Sequence, residues 1–143
     1  MKLISKFALL ILIIAILYLL ISGNLLSTKP LVVVGQLFAI ALSIWARRSF
    51  IGGPFNIHAQ PVERPLLLTG PYKFMKHPMY TAALLLIWSS ILGHLSILNT
   101  IIGLTVTGII VVRIAVEEQF LHECYPGYTD YSAKTKKIIP FII

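Results

Sequence analysis

Cysteine and charge are what this 143-residue chain has least of. A single cysteine, Cys124, excludes an internal disulfide, and without a second thiol or a C-x-x-C pair it excludes a thiolate zinc cage. Charged residues make up 12% of the chain, against about a quarter in an ordinary soluble domain, so the usual soluble classes are excluded. No G-x-G-x-x-G follows a strand pattern and no G-x-x-x-x-G-K-[ST] loop is present, which removes nucleotide-cofactor binding of the usual soluble kinds. His58 and His94 lack partners at metal spacing, and His122-Glu123 is not followed by the second histidine of a zincin. No metal is predicted. Internal repeats and low-complexity segments are also absent.

What the chain does have is long uncharged runs, with 57% of its residues hydrophobic. A helix of about 20 apolar residues covers the roughly 30 Å hydrocarbon core of a bilayer. Spans are predicted at 5–24, 31–47, 78–93 and 97–116. Residues 78–112 carry no formal charge, and as one straight helix they would measure about 52 Å, so they fold back, with the corner between Gly93 and Asn99. The rival reading of the first run, a secretory signal peptide with Lys2 and Lys6 as its basic end, lacks an A-x-A-like cleavage site. The expectation is one all-α integral membrane domain over 1–143, with about four transmembrane helices. Cytoplasmic segments fall at 48–77 and 117–143, the second ending in a helical cap.

Orientation follows from the basic residues. With four spans and a cytoplasmic amino terminus, eleven of the twelve lysines and arginines face the cytoplasm and only Lys29 faces out. Both termini are then cytoplasmic. The net charge of +7 is spread among membrane segments rather than gathered on one helix face, which argues against a nucleic-acid partner. Segment 48–77 holds Gly52-Gly53-Pro54, Pro61, Pro65 and Gly70-Pro71, which forbid a long regular helix. A loop of that length is usually functional or disordered, and its Phe55, Ile57, Leu66, Leu67, Leu68 and Tyr72 argue for folding against something and so for function.

Three places can carry chemistry. Arg113 falls about one turn inside the fourth span, where an ionisable group normally faces the bundle interior and pairs with a neighbour. Glu117, four residues on, shares its helix face. A snorkelling arginine with a local ion pair is the bland reading. Glu118 weakens it, because one arginine cannot neutralise two adjacent carboxylates that face different directions, whereas a cationic ligand would. His77, before the third span, is a ligand, a base or an interfacial residue; Tyr72 and Tyr80 equally suit an interfacial belt.

Taken in order, Ile44-Trp45-Ala46-Arg47-Arg48, Phe55 to Gln60, Gly70-Pro71-Tyr72, Lys76-His77-Pro78-Met79-Tyr80, Glu117-Glu118 and Tyr128…Tyr131…Ile139-Pro140 resemble the isoprenylcysteine carboxyl methyltransferase family. These integral-membrane methyltransferases are related to phospholipid N-methyltransferases. The likeness covers about residues 44 to 141. It implies S-adenosylmethionine as cofactor, held on the cytoplasmic face by the loop and the C-terminal cap, and a lipophilic small-molecule or lipid substrate entering from the bilayer. It further implies that Gln60, Arg64, Leu67, Tyr72, His77, Pro78, Tyr80, Glu117 and Glu118 line the cofactor pocket, and that Arg113 orients the acceptor. Lys76 replaces the commoner arginine, Ala82 stands where glycine is frequent, and the connection from Gln60 to Leu67 is short.

Catalytic roles are expected for Arg113, His77 and Glu118. A carboxylate acceptor is already a nucleophile and needs only orientation by Arg113, whereas an amine must lose a proton, with His77 or Glu118 as base. Arg113 favours the carboxylate or another small polar group on a lipid-like body. Two readings compete: phospholipid amine N-methylation, and a non-catalytic membrane scaffold or transporter subunit with the same helices.

Overall fold

The computed structural model describes residues 2–49, 69–125, 127–135 and 138, with side chains from residue 7 onward. All its regular elements are helical: α1 (Lys2–Ile21), α2 (Pro30–Arg48), a 3-10 turn (Gly70–Lys73), α3 (Pro78–Gly93), α4 (Ile97–Cys124) and α5 (Tyr128–Lys134).

Local chemistry sets the ends of these helices. Helix α1 closes with Gly23 at φ 70°, and Asn24 N donates to Leu19 O at 2.8 Å, the six-to-one bond of a glycine-terminated helix. It therefore stops three residues short of the predicted 24. Pro30 and Pro78 sit in the first turns of α2 and α3, where a missing N–H has no partner to lose. Ser96 caps α4 by accepting from Asn99 N at 3.1 Å. At 28 residues, α4 is about 42 Å long, so it outreaches a hydrocarbon core and carries its last turns beyond. The residues of the predicted fourth span, 97–116, and the first residues of the segment predicted to follow it form this single unbroken helix.

Helix α4 lies between α1 and α3, and α3 in turn packs along α2. Ala15 of α1, Ile87 and Ile91 of α3, and Val106, Ile110 and Ile114 of α4 form the main core. Small residues allow α2 and α3 to approach closely: a Cβ on Gly35 would run into the Ser89 hydroxyl. Polar links add direction. Gln36 Nε2, buried on α2, donates to Ser90 Oγ of α3 at 3.1 Å and to Leu25 O at 2.6 Å. Lys29 Nζ donates to Gly93 O at 3.0 Å, which ties the α1–α2 connection to the carbonyl end of α3.

The surface is inverted relative to a soluble bundle. Gln36, Ser89, Ser90 and Asn99 are inside, while Leu31, Phe38, Leu104 and Val112 face out. Lipid tails cover such an apolar exterior without cost, and the polar groups find each other within the bundle. Two helices, Pro30–Arg48 and Ile97–Cys124, are long and apolar enough to cross a membrane; Phe7–Ile21 and Pro78–Gly93 are shorter apolar helices.

Candidate active site

Helices α3 and α4 are antiparallel neighbours, so the start of α3 lies against the last third of α4. Trp88 Nε1 donates to Thr107 Oγ1 at 3.1 Å halfway along the pair, and the register brings Tyr80 to Arg113 and Glu117, and His77 to Glu118.

Consecutive residues on an α-helix point about 100° apart, so Glu117 and Glu118 face different partners. Glu117 Oε2 accepts the Tyr80 hydroxyl proton at 2.6 Å, and that same hydroxyl accepts from Arg113 Nε at 2.6 Å. The guanidinium also stands over the Tyr80 ring, 5.3 Å from its centroid. The pairing of Arg113 with Glu117 expected from their spacing is thus carried by a bridging tyrosine. Each bond has one charged partner, which makes both stronger than neutral ones.

Glu118 meets the segment before α3. Lys76 Nζ lies 3.2 Å from its Oε1 and His77 Nε2 lies 3.5 Å from the same oxygen. The His77 ring stacks on Tyr80 at 5.6 Å, closing a chain of contacts from Glu118 to Glu117. The counter-charge that Glu118 requires is therefore supplied within the protein by Lys76, a residue the sequence marked only as a substitution for arginine. His77 Nε2 is buried and has no hydrogen-bond partner among the described residues.

The C-terminal cap closes over this corner. Lys76 Nζ donates to Ser132 Oγ of α5 at 2.8 Å, Tyr131 OH donates to Tyr72 O at 2.7 Å, and Thr81 Oγ1 donates to Ile138 O at 2.9 Å. Of the predicted site residues, Tyr72, His77, Pro78, Tyr80, Arg113, Glu117 and Glu118 are gathered here, with Pro78 serving to start α3. Gln60, Arg64 and Leu67 lie outside the described residues. Sequence reasoning missed the roles of Lys76 and Ser132. The signal available was the adjacent pair of carboxylates, which requires a second cation nearby.

Burial pushes the Tyr72 hydroxyl well above the usual tyrosine range, and the Glu117 carboxylate and Tyr131 push it further. Tyr128 is raised likewise by burial, then by Glu118, Tyr131 and Glu117. In Tyr131 burial outweighs an opposing hydrogen bond to Thr135. The unfolded chain ionises these phenols near 10.0 while the folded one keeps them neutral. Their contribution to stability is thus fully present below that pH and is lost as pH rises toward the folded values. Thermal unfolding in detergent should give a midpoint insensitive to these groups from about pH 8 to 10 and falling beyond. Tyr72→Phe should make the alkaline fall shallower; an equal slope in that variant would show that Tyr72 does not contribute.

A family model described as phospholipid methyltransferase matches residues 4–127. No curated protein and no solved structure matches the chain.

Proposed function

The chain belongs to the phospholipid methyltransferase family, and from that premise we propose that it is a four-span enzyme transferring a methyl group from S-adenosylmethionine to the headgroup amine of a membrane lipid. The observation that carries this reading is the meeting of His77 and Tyr80, at the start of α3, with Glu117 and Glu118 near the end of α4.

The donor set suits the cofactor. The Glu117 carboxylate and the aromatic faces of Tyr80 and Tyr72 match a cationic nucleoside with hydroxyl and amino groups to satisfy, and the buried His77 Nε2 beside them is left for the acceptor. S-adenosylmethionine, when bound, supplies an electrophilic methyl group on a sulfonium whose transfer leaves a neutral thioether. Glu117 would hold its hydroxyl or amino groups; placed against the sulfonium it would stabilise the ground state more than the transition state, where that charge disperses. Tyr72, His77 and Pro78 would shape the remainder, with Gln60, Arg64 and Leu67 contributing from the preceding loop.

A protonated headgroup amine is not a nucleophile until it gives up its proton. His77 Nε2 would take that proton as general base, with Glu118 stabilising the imidazolium that results. Lys76 balances Glu118 before the proton arrives. Tyr80, fixed between Arg113 and Glu117, would hold the His77 ring by stacking. The remaining task is to keep acceptor and donor in line and water out, which the cap supports by covering the corner.

Arg113 favours a second reading, an acceptor carboxylate on an isoprenylcysteine-like body, which a guanidinium orients well. Its bond to Tyr80 OH and its position over the ring make it a positioning residue for Tyr80, which is why the amine stands first.

The test is uptake of labelled methyl from S-adenosylmethionine by purified protein offered phosphatidylethanolamine and a prenylcysteine analogue in parallel. Methylation of the phospholipid is expected, with loss in His77→Ala. Methylation of the prenylcysteine analogue alone would select the carboxylate reading. No transfer to either, together with no calorimetric binding of the cofactor, would leave a non-catalytic membrane protein.

A further inference from the structure

One buried polar group in this corner is used neither by the fold nor by the mechanism above. The Tyr128 side chain is among the largest fully buried ones, 1% exposed, yet its hydroxyl has no hydrogen-bond partner among the described residues. A buried, unsatisfied hydroxyl costs about 1–3 kcal/mol, and phenylalanine would fill the same space without that cost.

Its neighbours tie it to the same corner. The Tyr128 ring is held edge-on to His122 at 4.7 Å and tilted against Tyr131 at 5.8 Å. Tyr131 is anchored on Tyr72 O, and Ser132, one turn after Tyr128 on the same face of α5, holds Lys76, the counter-ion of Glu118. Tyr128 therefore sits on the cap beside the residues that hold Lys76 and Tyr72, and the same corner contains the buried His77 Nε2, which likewise has no hydrogen-bond partner among the described residues. Burial, and after it the charge of Glu118, keeps the Tyr128 hydroxyl protonated, so it is available as a donor.

We propose that the Tyr128 hydroxyl is a further binding group of the methyl-donor site, donating a hydrogen bond from the C-terminal cap to an acceptor atom of bound S-adenosylmethionine. The inference rests on the methyltransferase reading given above. Without a partner among the described residues the hydroxyl is a liability in ligand-free protein, and bound cofactor would give it one. The cap then has a function beyond covering the site, since binding fastens α5 in place.

Two opposite effects in one variant provide the test. In Tyr128→Phe, the ligand-free full-length protein should unfold at the same temperature as wild type or a few degrees higher. Calorimetry should show about tenfold weaker binding of both S-adenosylmethionine and S-adenosylhomocysteine, a loss of about 1.4 kcal/mol. The two ligands share every group except the transferred methyl and its charge, so an equal loss marks a hydrogen bond to the common part. Tyr131→Phe, which removes the bond to Tyr72 O, is the comparison for a loosened cap. Unchanged affinity in Tyr128→Phe overturns the inference, as does a loss that tracks lowered stability in both variants. Failure of wild type to bind either ligand overturns the methyl-donor reading itself, and this inference with it.

Discussion

Replacing Lys76 with methionine is expected to destabilise the protein by about 3 kcal/mol and to lower its unfolding midpoint by on the order of 10 °C. Lys76 Nζ lies 3.2 Å from Glu118 Oε1, with the two side chains only 5% and 12% exposed. Methionine preserves the volume but takes away the lysine 3.2 Å from a carboxylate that little water reaches. Removing one member of a buried pair costs more than the pair contributes when intact. The Ser132 hydroxyl would lose its partner at the same time. The double variant Lys76→Met with Glu118→Gln should recover most of the loss, because no uncompensated charge remains. Thermal unfolding followed by circular dichroism in detergent decides the matter. A midpoint within about 2 °C of wild type would mean that Glu118 is hydrated enough to do without Lys76.

Tyr80→Phe is expected to lower kcat/KM for methyl transfer by about 100-fold, or roughly 2.7 kcal/mol, through two lost charge-assisted hydrogen bonds. The ring and its stacking on His77 survive the change, so the loss isolates the hydroxyl that joins Arg113 to Glu117. Without it the two ions must find each other directly, or water, and Glu117 loses its orientation. Because the three groups act as one unit, Tyr80→Phe combined with Glu117→Gln should cost far less than the sum of the single changes. Arg113→Ala should harm turnover more than cofactor affinity, as expected of a residue that acts through Tyr80. Additive losses in the double variant would show that the relay does not operate as a unit in catalysis.

Much of this was legible before any coordinates. The apolar runs between Phe7 and Ile21, Leu31 and Ala46, and Pro78 and Gly93 are long and uncharged, and proline at Pro30 and Pro78 and glycine at Gly23 punctuate them. Such signals are local, so the helices could be read with small errors at their ends. The nearness of Arg113 to Glu117 was likewise a matter of helical period. The contact was not direct, because a tyrosine from another helix, 33 residues away, intervenes. In the function proposed above, that insertion is why an amine is placed before a carboxylate as acceptor, since a guanidinium joined to Tyr80 serves the protein's own architecture first.

Sequence alone determined the all-helical class, the membrane-suited surface and the presence of two adjacent glutamates that need cations, because hydropathy, helical period and charge spacing act over a few residues. Only the tertiary structure decided that Lys76 balances Glu118, that Tyr80 joins Arg113 to Glu117, and that α5 closes over them with a Tyr128 hydroxyl that has no partner among the described residues. Those pairings depend on the antiparallel register of α3 against α4 and on the docking of the cap, and both are products of packing between segments distant in the chain.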